Sequence, residues 1–440
     1  DTMVEAETIF IEIPGGNSPD RLYLKRLYLA EKGISDRIHA LLSMPSPKQM
    51  GHTVSLDRDQ IVELVLSNLA VRLSEEQLDV VCQMLDQRVV VITGGPGTGK
   101  TTLIRSICSV FKRLRKTVLL SAPTGRAARR LTEVTGRQAF TLHKLLGFDA
   151  ESGSFERNQS NQLDMDVFIV DEASMVDTML MYHLLQATPV QSRLILVGDT
   201  FQLPSVGPGN VLADIINSNT IETFVLTKIF RQAMKSPIIM NAHRIRNGEM
   251  PELAPPESDE LSDFYFIENN TPAKVVQTIL DLCTSRINQA FSHIDEIQVL
   301  TPMHRGEAGT INLNQQLQSV LNPLDQGIES NGMIFKTGDK VMHLKNNYEK
   351  EVFNGDIGTV REICNSDGIV QVDYEDRLVS YEGPELDELT LAYTISVHKS
   401  QGSEYAAVVI AMTMNHYPLL QRNLLYTAMT RGRHLVIIVG

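Results

Sequence analysis

Short runs of apolar, mostly β-branched residues recur along the first half of the chain and predict the strands of a parallel sheet. The runs lie at residues 89–92, 117–121, 167–170 and 194–197. Uninterrupted apolar runs of this length are typical of strands that helices cover on both faces. With helical patterns between them, they predict one α/β domain over residues 72–218.

A second set of apolar runs lies at residues 224–227, 297–301, 407–412 and 435–439. These runs predict a second α/β domain made of residues 219–334 and 391–440. Between its two parts, residues 335–390 alternate between apolar and polar and turn at Asn-Gly and Gly-Asp. Because this pattern is typical of antiparallel strands, we predict a small β-barrel inserted into the second domain.

The apolar positions before residue 72 have a helical period. They are Leu22, Leu24, Leu27, Leu29, Ile38, Leu41 and Leu42, and the pattern is broken by Pro45 and Pro47. Spacings of three and four residues place side chains on one face of a helix. Residues 1–71 are therefore predicted to form a small N-terminal helical domain.

Composition narrows the class of protein. The chain has 440 residues, 42% hydrophobic and 21% charged, which is the balance of a globular protein with several domains. No apolar run approaches the roughly 18 residues of a membrane span, and no signal-peptide pattern opens the chain. Its four cysteines lack C-x-x-C spacing, which indicates reduced thiols rather than a zinc site and predicts a cytoplasmic location.

Charge is unevenly distributed along the chain. The formal net charge is −13, yet residues 105–130 contain eight Lys or Arg and no Asp or Glu. Half of this basic block, Lys112, Arg113, Arg115 and Lys116, ends a predicted helix and either binds a polyanion or only compensates the helix dipole on a solvated face. The other part, Arg126, Arg129 and Arg130, lies in a segment of small residues and either faces phosphates or is merely solvated.

The clearest chemical signal is the segment VVVITGGPGTGKTT at residues 89–102. A strand, a glycine-rich loop and Lys-Thr at a helix start form a phosphate-binding loop, or P-loop. Its backbone N–H groups surround phosphate oxygens, Lys100 reaches the β- and γ-phosphates, and Thr101 offers a hydroxyl to Mg²⁺. The predicted nucleotide-binding residues of this loop are Gly95, Gly97, Thr98, Gly99, Lys100, Thr101 and Thr102.

Asp171 and Glu172 directly follow the strand predicted at residues 167–170. The carboxyl ends of parallel strands face one crevice, so both carboxylates are expected beside the P-loop. Asp171 would then hold Mg²⁺, directly or through water, and Glu172 would polarise the water that attacks the γ-phosphate. The alternative is an acidic pair that only caps the strand.

Four other polar residues each have two interpretations. Gln77 either reads the adenine edge or forms a capping box with Ser74, and from the residues alone the capping box is favoured. Gln202 either senses the γ-phosphate or is an ordinary loop residue. Arg231 and Arg431 either bring cationic charge to the γ-phosphate from the second domain or are surface ion-pair partners.

Eight segments occur in order along the chain: GGPGTGKTT, SAPTGRAARR, TLHKLLG, IVDEASM, LVGDTFQLPSVGPG, KIFRQA, AYTISVHKSQGSEY and LLYTAMTRGR. In this combination the sequence resembles superfamily 1 helicases, and closely the RecD-like 5′→3′ DNA helicases related to the exodeoxyribonuclease V alpha subunit. The resemblance covers about residues 20–440. It implies two RecA-like P-loop domains with ATP and Mg²⁺ between them and single-stranded DNA across their top.

The resemblance also implies roles for individual residues. In the nucleotide site, the resemblance implies that Gln77 reads the adenine and that Lys100, Thr101, Asp171 and Glu172 have the roles given above. It implies that Gln202, Arg231 and Arg431 sense the γ-phosphate. It also implies that Gly402 and Glu404 lie near the nucleotide. The DNA-contacting residues would be Pro123, Thr124, Arg126, His143, Thr394, His398, Lys399 and Ser400. The pattern of residues 147–158 predicts a β-hairpin, although a plain surface loop fits it nearly as well. The resemblance implies that these residues form a duplex-splitting pin and that residues 335–390 form an SH3-like insertion.

These expectations describe an ATP-dependent DNA helicase that moves 5′→3′ on single-stranded DNA and unwinds duplex in DNA repair or recombination. Its partners would be single-stranded DNA and single/double-strand junctions, with RecB- or RecC-like subunits or a single-strand-binding protein as further candidates, and no membrane. Two alternatives stay open. One is an RNA-directed helicase of the same superfamily, and the other is a nucleotide-binding subunit of a larger complex without unwinding of its own.

Overall fold

Two parallel β-sheets, each covered by helices, form most of the protein. The computed structural model describes residues 8–12, 21–45, 56–149, 152–230, 233–254, 261–347, 349–364, 366, 368–374 and 377–440. The predicted phosphate sensor Arg231 lies outside these ranges, and so do residues 150–151 of the predicted hairpin.

The first sheet has six parallel strands. In spatial order they are Glu222–Leu226, Val89–Gly94, Arg193–Gly198, Val167–Val170, Val118–Ala122 and Ala139–Thr141. The three central strands are buried along their whole length, as their apolar runs predict. The strand Glu222–Leu226 corrects the predicted boundary at residue 218, because it pairs in parallel with Val89–Gly94 and so belongs to the first sheet.

Helices cover both faces of this sheet and complete the first lobe. They are Glu75–Met84, Lys100–Arg113, Gly125–Thr135, Leu142–Leu146, Thr178–Ala187 and Val211–Asn217, with a 3-10 turn at Ala173–Met175. Side-chain caps start several of them. Thr124, Thr141 and Asp177 each accept a hydrogen bond from a backbone N–H of the first helical turn, which satisfies a donor that the helix leaves free.

The region before residue 72 differs from its prediction. Residues Ile9–Glu12 and Arg21–Leu24 pair as an antiparallel hairpin, so the two-residue spacing of Leu22 and Leu24 belongs to a strand. The helices Lys25–Ser43 and Arg58–Leu69 follow. Their buried side chains join the two hydrophobic clusters of the first lobe, so in the described residues the helices share the core of that lobe.

The second sheet has five parallel strands. In spatial order they are Phe264–Ile267, Gly432–Val439, Tyr405–Ala411, Ile297–Thr301 and Thr394–Ser396. The helices of this second lobe are Pro237–Asn247, Pro272–Asp281, Ile287–Ala290, Thr310–Leu321 and Arg422–Met429, with a π turn at Leu282–Arg286 and 3-10 turns at Ala233–Lys235, His398–Ser400 and Met414–Leu419. None of the helices in the described parts of the chain is long and apolar enough to span a membrane.

An antiparallel sheet is inserted into the second lobe between strands Ile297–Thr301 and Thr394–Ser396. Its strands, in spatial order, are Leu378–Glu382, Ile369–Asp373, Ile357–Cys364, Lys340–His343 and Leu389–Leu391. A hairpin of Ile328–Ser330 and Met333–Phe335 precedes it, and a 3-10 turn lies at Gly383–Glu388. We call residues 328–391 the insertion. Its antiparallel strands are as predicted, but the described residues form an open sheet instead of a closed barrel.

A short hairpin follows the helix Leu142–Leu146. Phe148–Asp149 pairs with Ser154–Phe155, which confirms a hairpin within the predicted range. The rings of Phe148 and Phe155 lie 5.0 Å apart and both contact the ring of His143. This aromatic cluster ties the hairpin to the first lobe.

Candidate nucleotide cleft and strand channel

The P-loop opens into a cleft of about 360 Å³ between the two lobes. The first lobe lines it with Gly95, Pro96, Gly97, Gly99, Lys100, Thr101, Arg130, Leu131, Asp171, Glu172, Asp199 and Gln202. The second lobe lines it with Ser236, Ile238, Ile239, Glu404, Thr430, Arg431, Gly432 and Arg433. The fold therefore gathers most of the predicted nucleotide residues at one place.

Two glycines give the P-loop its shape. Gly97 and Gly99 have φ angles of +73° and +79°, in the left-handed region that side chains disfavour. A Cβ atom at Gly99 would also lie 2.6 Å from the Gln77 amide nitrogen and from the ring of Phe230. Lys100 Nζ donates to the carbonyls of Gly94 (2.6 Å) and Gly95 (3.1 Å), which holds the amine against the loop.

Gln77 supports the P-loop from outside the cleft. Its Oε1 accepts from the N–H of Ser74 (3.1 Å), and Ser74 Oγ accepts from the N–H of Gln77, so the predicted capping box is confirmed. The amide Nε2 donates to the carbonyls of Thr98 and Gly99, both at 3.2 Å. Gln77 thus links the start of one helix to the loop at the start of the next. Adenine recognition by Gln77 stays a prediction.

The acidic pair lies at the carboxyl end of strand Val167–Val170, as predicted. Asp171 Oδ1 accepts a hydrogen bond from the N–H of Glu172 at 2.9 Å. Burial, and then the neighbouring Glu172 carboxylate, raise the pKa of Asp171 to about 6. Glu172 has a φ of +51°, a left-handed conformation that costs a non-glycine residue on the order of 1 kcal/mol. Such strain is frequent where the backbone must direct a reactive side chain.

Arg431 reaches the opposite side of the cleft from the second lobe. Its guanidinium donates to the carbonyls of Thr427 (3.1 Å) and Ser403 (3.2 Å) and to Thr430 Oγ1 (3.2 Å), and only 3% of the residue is exposed. These partners are neutral, and within the described residues no carboxylate forms an ion pair with Arg431. A buried cation without a counter-ion favours an anion in the cleft.

Glu404 and Gly402 lie at different places between the lobes. Glu404 Oε1 pairs with Arg130 of the first lobe at 2.5 Å, and its Oε2 pairs with Arg433 at 3.0 Å, so this ion pair crosses the cleft. Gly402, predicted near the nucleotide, instead touches the first lobe outside the cleft. Its φ is +71°, and a Cβ atom there would lie 2.7 Å from Thr124 Oγ1.

Several polar contacts between the lobes escaped the sequence analysis. Tyr426 donates its hydroxyl to Asp199 Oδ2 at 2.5 Å, in a buried position. Thr427 Oγ1 accepts from the N–H of Leu203 at 2.8 Å, next to Gln202, whose Oε1 is buried without a partner. Asp199 directly follows a strand, as Asp171 does. The rule that places polar residues after a strand at the crevice of a parallel sheet could therefore also have predicted Asp199. Nothing in the sequence marks the role of Tyr426 or Thr427.

A second space between the lobes, of about 530 Å³, forms a channel that we call the strand channel. Its lining residues are Thr124, Arg126, Met175, Val206, Pro302, His304, Asn354, Gly355, Ser396, His398, Lys399, Gln401, Ser403 and Leu419. Four of the predicted DNA residues are among them, namely Thr124, Arg126, His398 and Lys399. Arg126 also donates to the hydroxyl of Tyr405 at 2.8 Å.

The other predicted DNA residues do not line this channel. His143 packs against the hairpin, and burial lowers its pKa. Thr394 is buried and exchanges two backbone hydrogen bonds with the Asn314 amide, while Ser400 Oγ donates to the carbonyl of Val397. Pro123 is half-buried beside Thr124. The sequence analysis missed the lining residues His304 and Asn354, and the Asn-Gly signal at Asn354 predicted only a turn.

Family models match three parts of the chain. They describe an AAA domain over residues 77–208, the SH3 domain of ATP-dependent RecD-like DNA helicases over residues 313–374, and a UvrD-like helicase C-terminal domain over residues 391–439. These parts correspond to the P-loop region, the insertion with its preceding helix, and the end of the second lobe.

Two curated relatives match almost the whole chain. The ATP-dependent RecD2 DNA helicase of Deinococcus radiodurans is 38% identical over 421 residues, which cover 96% of this chain and 55% of the relative. The RecBCD enzyme subunit RecD of Mycolicibacterium smegmatis is 30% identical over 454 residues, which cover 96% of this chain and 78% of the relative. The chain thus spans just over half the length of the first relative and most of the second.

Solved structures of Pif1 helicases have a similar fold. A Bacteroides Pif1 in complex with ADP-AlF3 and ssDNA gives a TM-score of 0.52 at 21% identity, and a Pif1 structure from work on forked dsDNA gives 0.51 at 22%. Each covers 84% of this chain and 92% of the other. The fold and site define a two-lobed P-loop protein of the superfamily 1 helicase class. Within that class, the chain belongs to the RecD-like helicase family.

Proposed function

We propose that this chain is the motor of an ATP-dependent DNA helicase, which moves 5′→3′ on single-stranded DNA and unwinds duplex in repair or recombination. One observation carries the proposal. The P-loop and the acidic pair of the first lobe face Arg431 of the second lobe across one cleft, and the strand channel spans the same two lobes. A change in the cleft that moves the lobes therefore also changes the channel.

The residues of the cleft fit Mg²⁺ with ATP as the substrate. Thr101 and Asp171 would hold the metal through a hydroxyl and a carboxylate, and bound Mg²⁺ would offset charge on the phosphates. The buried Arg431, which has only neutral partners, and the unpartnered Oε1 of Gln202 are further groups that a phosphate and its water would satisfy. Glu172 would orient and deprotonate the attacking water.

The remaining assignments are part of the same proposal. The described hairpin within residues 147–158 would meet the duplex at the junction, and the insertion would guide the single strand. Four free cysteines support a reducing compartment such as the cytoplasm. The partners would be single-stranded DNA and its junctions with duplex. Phosphate contacts would make this binding independent of sequence and sensitive to salt.

ATP hydrolysis with and without single-stranded DNA tests the proposal. Lys100→Ala is the reference, because it should abolish turnover while the fold, measured by circular dichroism, is retained. We expect strong stimulation by DNA, weaker stimulation by RNA, and unwinding of 5′-tailed but not 3′-tailed duplex. ATP binding without any stimulation by DNA would favour a nucleotide-binding subunit instead, and equal stimulation by RNA would favour an RNA-directed helicase.

A further inference from the structure

A short segment carries the chain from the first lobe to the second. It begins after strand Glu222–Leu226, and the 3-10 turn Ala233–Lys235 of the second lobe is the next described element. Its described residues 227–230, which we call the crossing segment, form neither helix nor strand. Loop residues of this kind absorb the changes in backbone angles when two lobes move relative to each other. The contacts that hold the crossing segment therefore decide how movement passes between the lobes.

Glu76 holds the start of the crossing segment against the first lobe. Its Oε1 accepts from the backbone N–H of Thr227 at 2.9 Å and from Thr227 Oγ1 at 2.8 Å, and its Oε2 accepts from the N–H of Lys228 at 3.2 Å. Burial alone would raise the pKa of Glu76, but these hydrogen bonds outweigh burial and lower the pKa. Because the acceptor is charged, the bonds are stronger than those to a neutral oxygen. One side chain thus clamps two consecutive residues of the segment.

The P-loop holds the other end of the crossing segment. The N–H of Phe230 donates to the carbonyl of Gly97 at 3.2 Å. A Cβ atom at Gly99 would lie 2.6 Å from the Phe230 ring, so the two segments pack closely. Gln77, the residue after Glu76, donates to two carbonyls of the same loop. Consecutive side chains of one helical turn therefore contact the crossing segment and the P-loop.

The clamp leaves little slack between the P-loop and the second lobe. Only Ile229 lies between Lys228, which is held by Glu76, and Phe230, which is held by the P-loop. A displacement of the P-loop is therefore applied to Phe230 while the preceding residues stay fixed, and it passes on to the start of the second lobe. Without the clamp, the crossing segment would absorb the same displacement in its own backbone angles.

We propose that Glu76 is a positioning residue that transmits movement of the P-loop to the second lobe, so that nucleotide binding closes the two lobes. This inference rests on the proposed function, in which ATP occupies the P-loop. Glu76 itself does not line the nucleotide cleft, and it acts through the crossing segment. Its loss should leave nucleotide binding intact and uncouple that binding from the position of the second lobe.

Substitutions at the clamp in the full 440-residue chain test this inference. Glu76→Ala removes all three hydrogen bonds and leaves Gln77 in place. Glu75→Ala is the matched control, because Glu75 has the same charge in the same helical turn but pairs with Arg58. Both variants lose a similar interaction with the helix dipole, so the comparison cancels it. Two milder variants weaken the clamp in part: Glu76→Gln keeps an oxygen for Thr227, and Thr227→Val removes one donor.

Hydrogen exchange with a non-hydrolysable ATP analogue measures lobe closure without DNA. The reporter is helix Arg422–Met429, whose Tyr426 and Thr427 contact the first lobe. In wild type and Glu75→Ala, the analogue should slow exchange about threefold or more in both the P-loop and this helix. In Glu76→Ala it should slow exchange to the same extent in the P-loop and leave the helix unchanged. The two milder variants should lie between these results.

ATP hydrolysis gives a second readout. Glu76→Ala should keep its KM for ATP within about threefold of wild type and lose about tenfold in the kcat measured with single-stranded DNA. Glu75→Ala should change neither quantity. A residue that only stabilises the fold would instead raise exchange in both lobes, with and without the analogue.

Three outcomes count against the inference. Equal protection of the reporter helix in Glu76→Ala and Glu75→Ala overturns it and leaves the proposed function standing. A uniform rise in exchange, with no change in the response to the analogue, overturns it in the same way. If Glu76→Ala does not fold, the two milder variants decide, and wild-type behaviour in both overturns it. If the analogue fails to protect the P-loop of the wild type, the proposed function fails as well.

Discussion

The two lobes share one architecture but face the cleft with opposite edges of their sheets. In the first lobe, the P-loop, Asp171 and Asp199 follow the carboxyl ends of three strands. In the second lobe, Glu404 and Arg431 come just before the amino ends of strands Tyr405–Ala411 and Gly432–Val439. On the proposed function, binding of a nucleotide and detection of its γ-phosphate would thus be divided between the two edges of the same kind of sheet.

This division shows which parts of the sequence encode phosphate binding and which encode γ-phosphate detection. A loop after a strand forms its site from consecutive residues, so the first lobe carries a complete phosphate cradle within one segment. The second lobe contributes single side chains, which under the proposed function would act only when the lobes meet. Hydrolysis would then depend on the relative position of the lobes, whereas the P-loop alone would hold the phosphates.

The largest expected effect comes from replacing Arg431, and it distinguishes hydrolysis of the nucleotide from its binding. Arg431→Ala should lower kcat for ATP by about 10³–10⁵-fold, the usual contribution of an arginine that meets the γ-phosphate, while nucleotide binding changes only severalfold. Arg433→Ala is the matched control, because Arg433 also lines the cleft but pairs with Glu404. Steady-state hydrolysis and a fluorescent-nucleotide titration measure the two quantities. A similar kcat in both variants would remove the division between the lobes.

A second prediction concerns pH, because the pKa values of His343 and Asp171 are shifted in opposite directions. In the insertion, burial lowers the pKa of His343 from 6.5 to about 4. His343 stays neutral in the folded state, so its stability contribution is present above pH 6.5 and is lost as pH falls from 6.5 to 4. The shift corresponds to about 3 kcal/mol. Urea unfolding of wild type and His343→Gln should show this loss only in the wild type.

Asp171 should respond in the opposite sense. Its pKa is raised to about 6, so the folded state holds a proton that the unfolded state releases near pH 4. Without Mg²⁺, its contribution is present below pH 4 and is lost as pH rises from 4 to 6. Asp171→Asn should remove this loss in the same unfolding experiment. If the free energy of unfolding changed with pH in the same direction in the Asp171 and His343 variants, the assignment of opposite pKa shifts would be contradicted.

The smallest effect tests one of the contacts between the two lobes, the hydrogen bond of Tyr426 with Asp199. Tyr426→Phe removes the buried hydrogen bond to Asp199 and should cost about 1–3 kcal/mol because a buried acceptor loses its donor. DNA-stimulated hydrolysis should fall more than hydrolysis without DNA, since the bond couples the lobes. Tyr417→Phe, at an exposed tyrosine, is the control and should change neither rate. An equal fall in both rates would make Tyr426 purely structural.

The predictable part of the site is the part that is local in sequence. The P-loop, Asp171 with Glu172, and the capping box of Gln77 each depend on residues within one strand, loop or helix start. Apolar runs likewise predicted the central strands of both sheets. Local pattern could also have identified Asp199, which follows strand Arg193–Gly198 in the same way.

The remainder depends on contacts between distant segments. The strand Glu222–Leu226 has the same local pattern in either lobe, and only its pairing with Val89–Gly94 decides where it belongs. The partners of Arg126, Arg129 and Arg130 come from the second lobe and the insertion, so their basic helix could not be distinguished from a solvated one. Tyr426 had no signal because its partner lies 227 residues away.

The strand order also has a consequence for synthesis on the ribosome. Every strand of the first sheet has been synthesised once residue 226 is added, so this lobe is able to fold while the second lobe is still being made. In the second sheet, Gly432–Val439 lies inside, between Phe264–Ile267 and Tyr405–Ala411. That sheet stays split until these late residues emerge, and such distant pairings form slowly. Under the proposed function, a nascent chain would therefore complete its phosphate cradle before Arg431 is synthesised, and it would bind nucleotide before it is able to hydrolyse it.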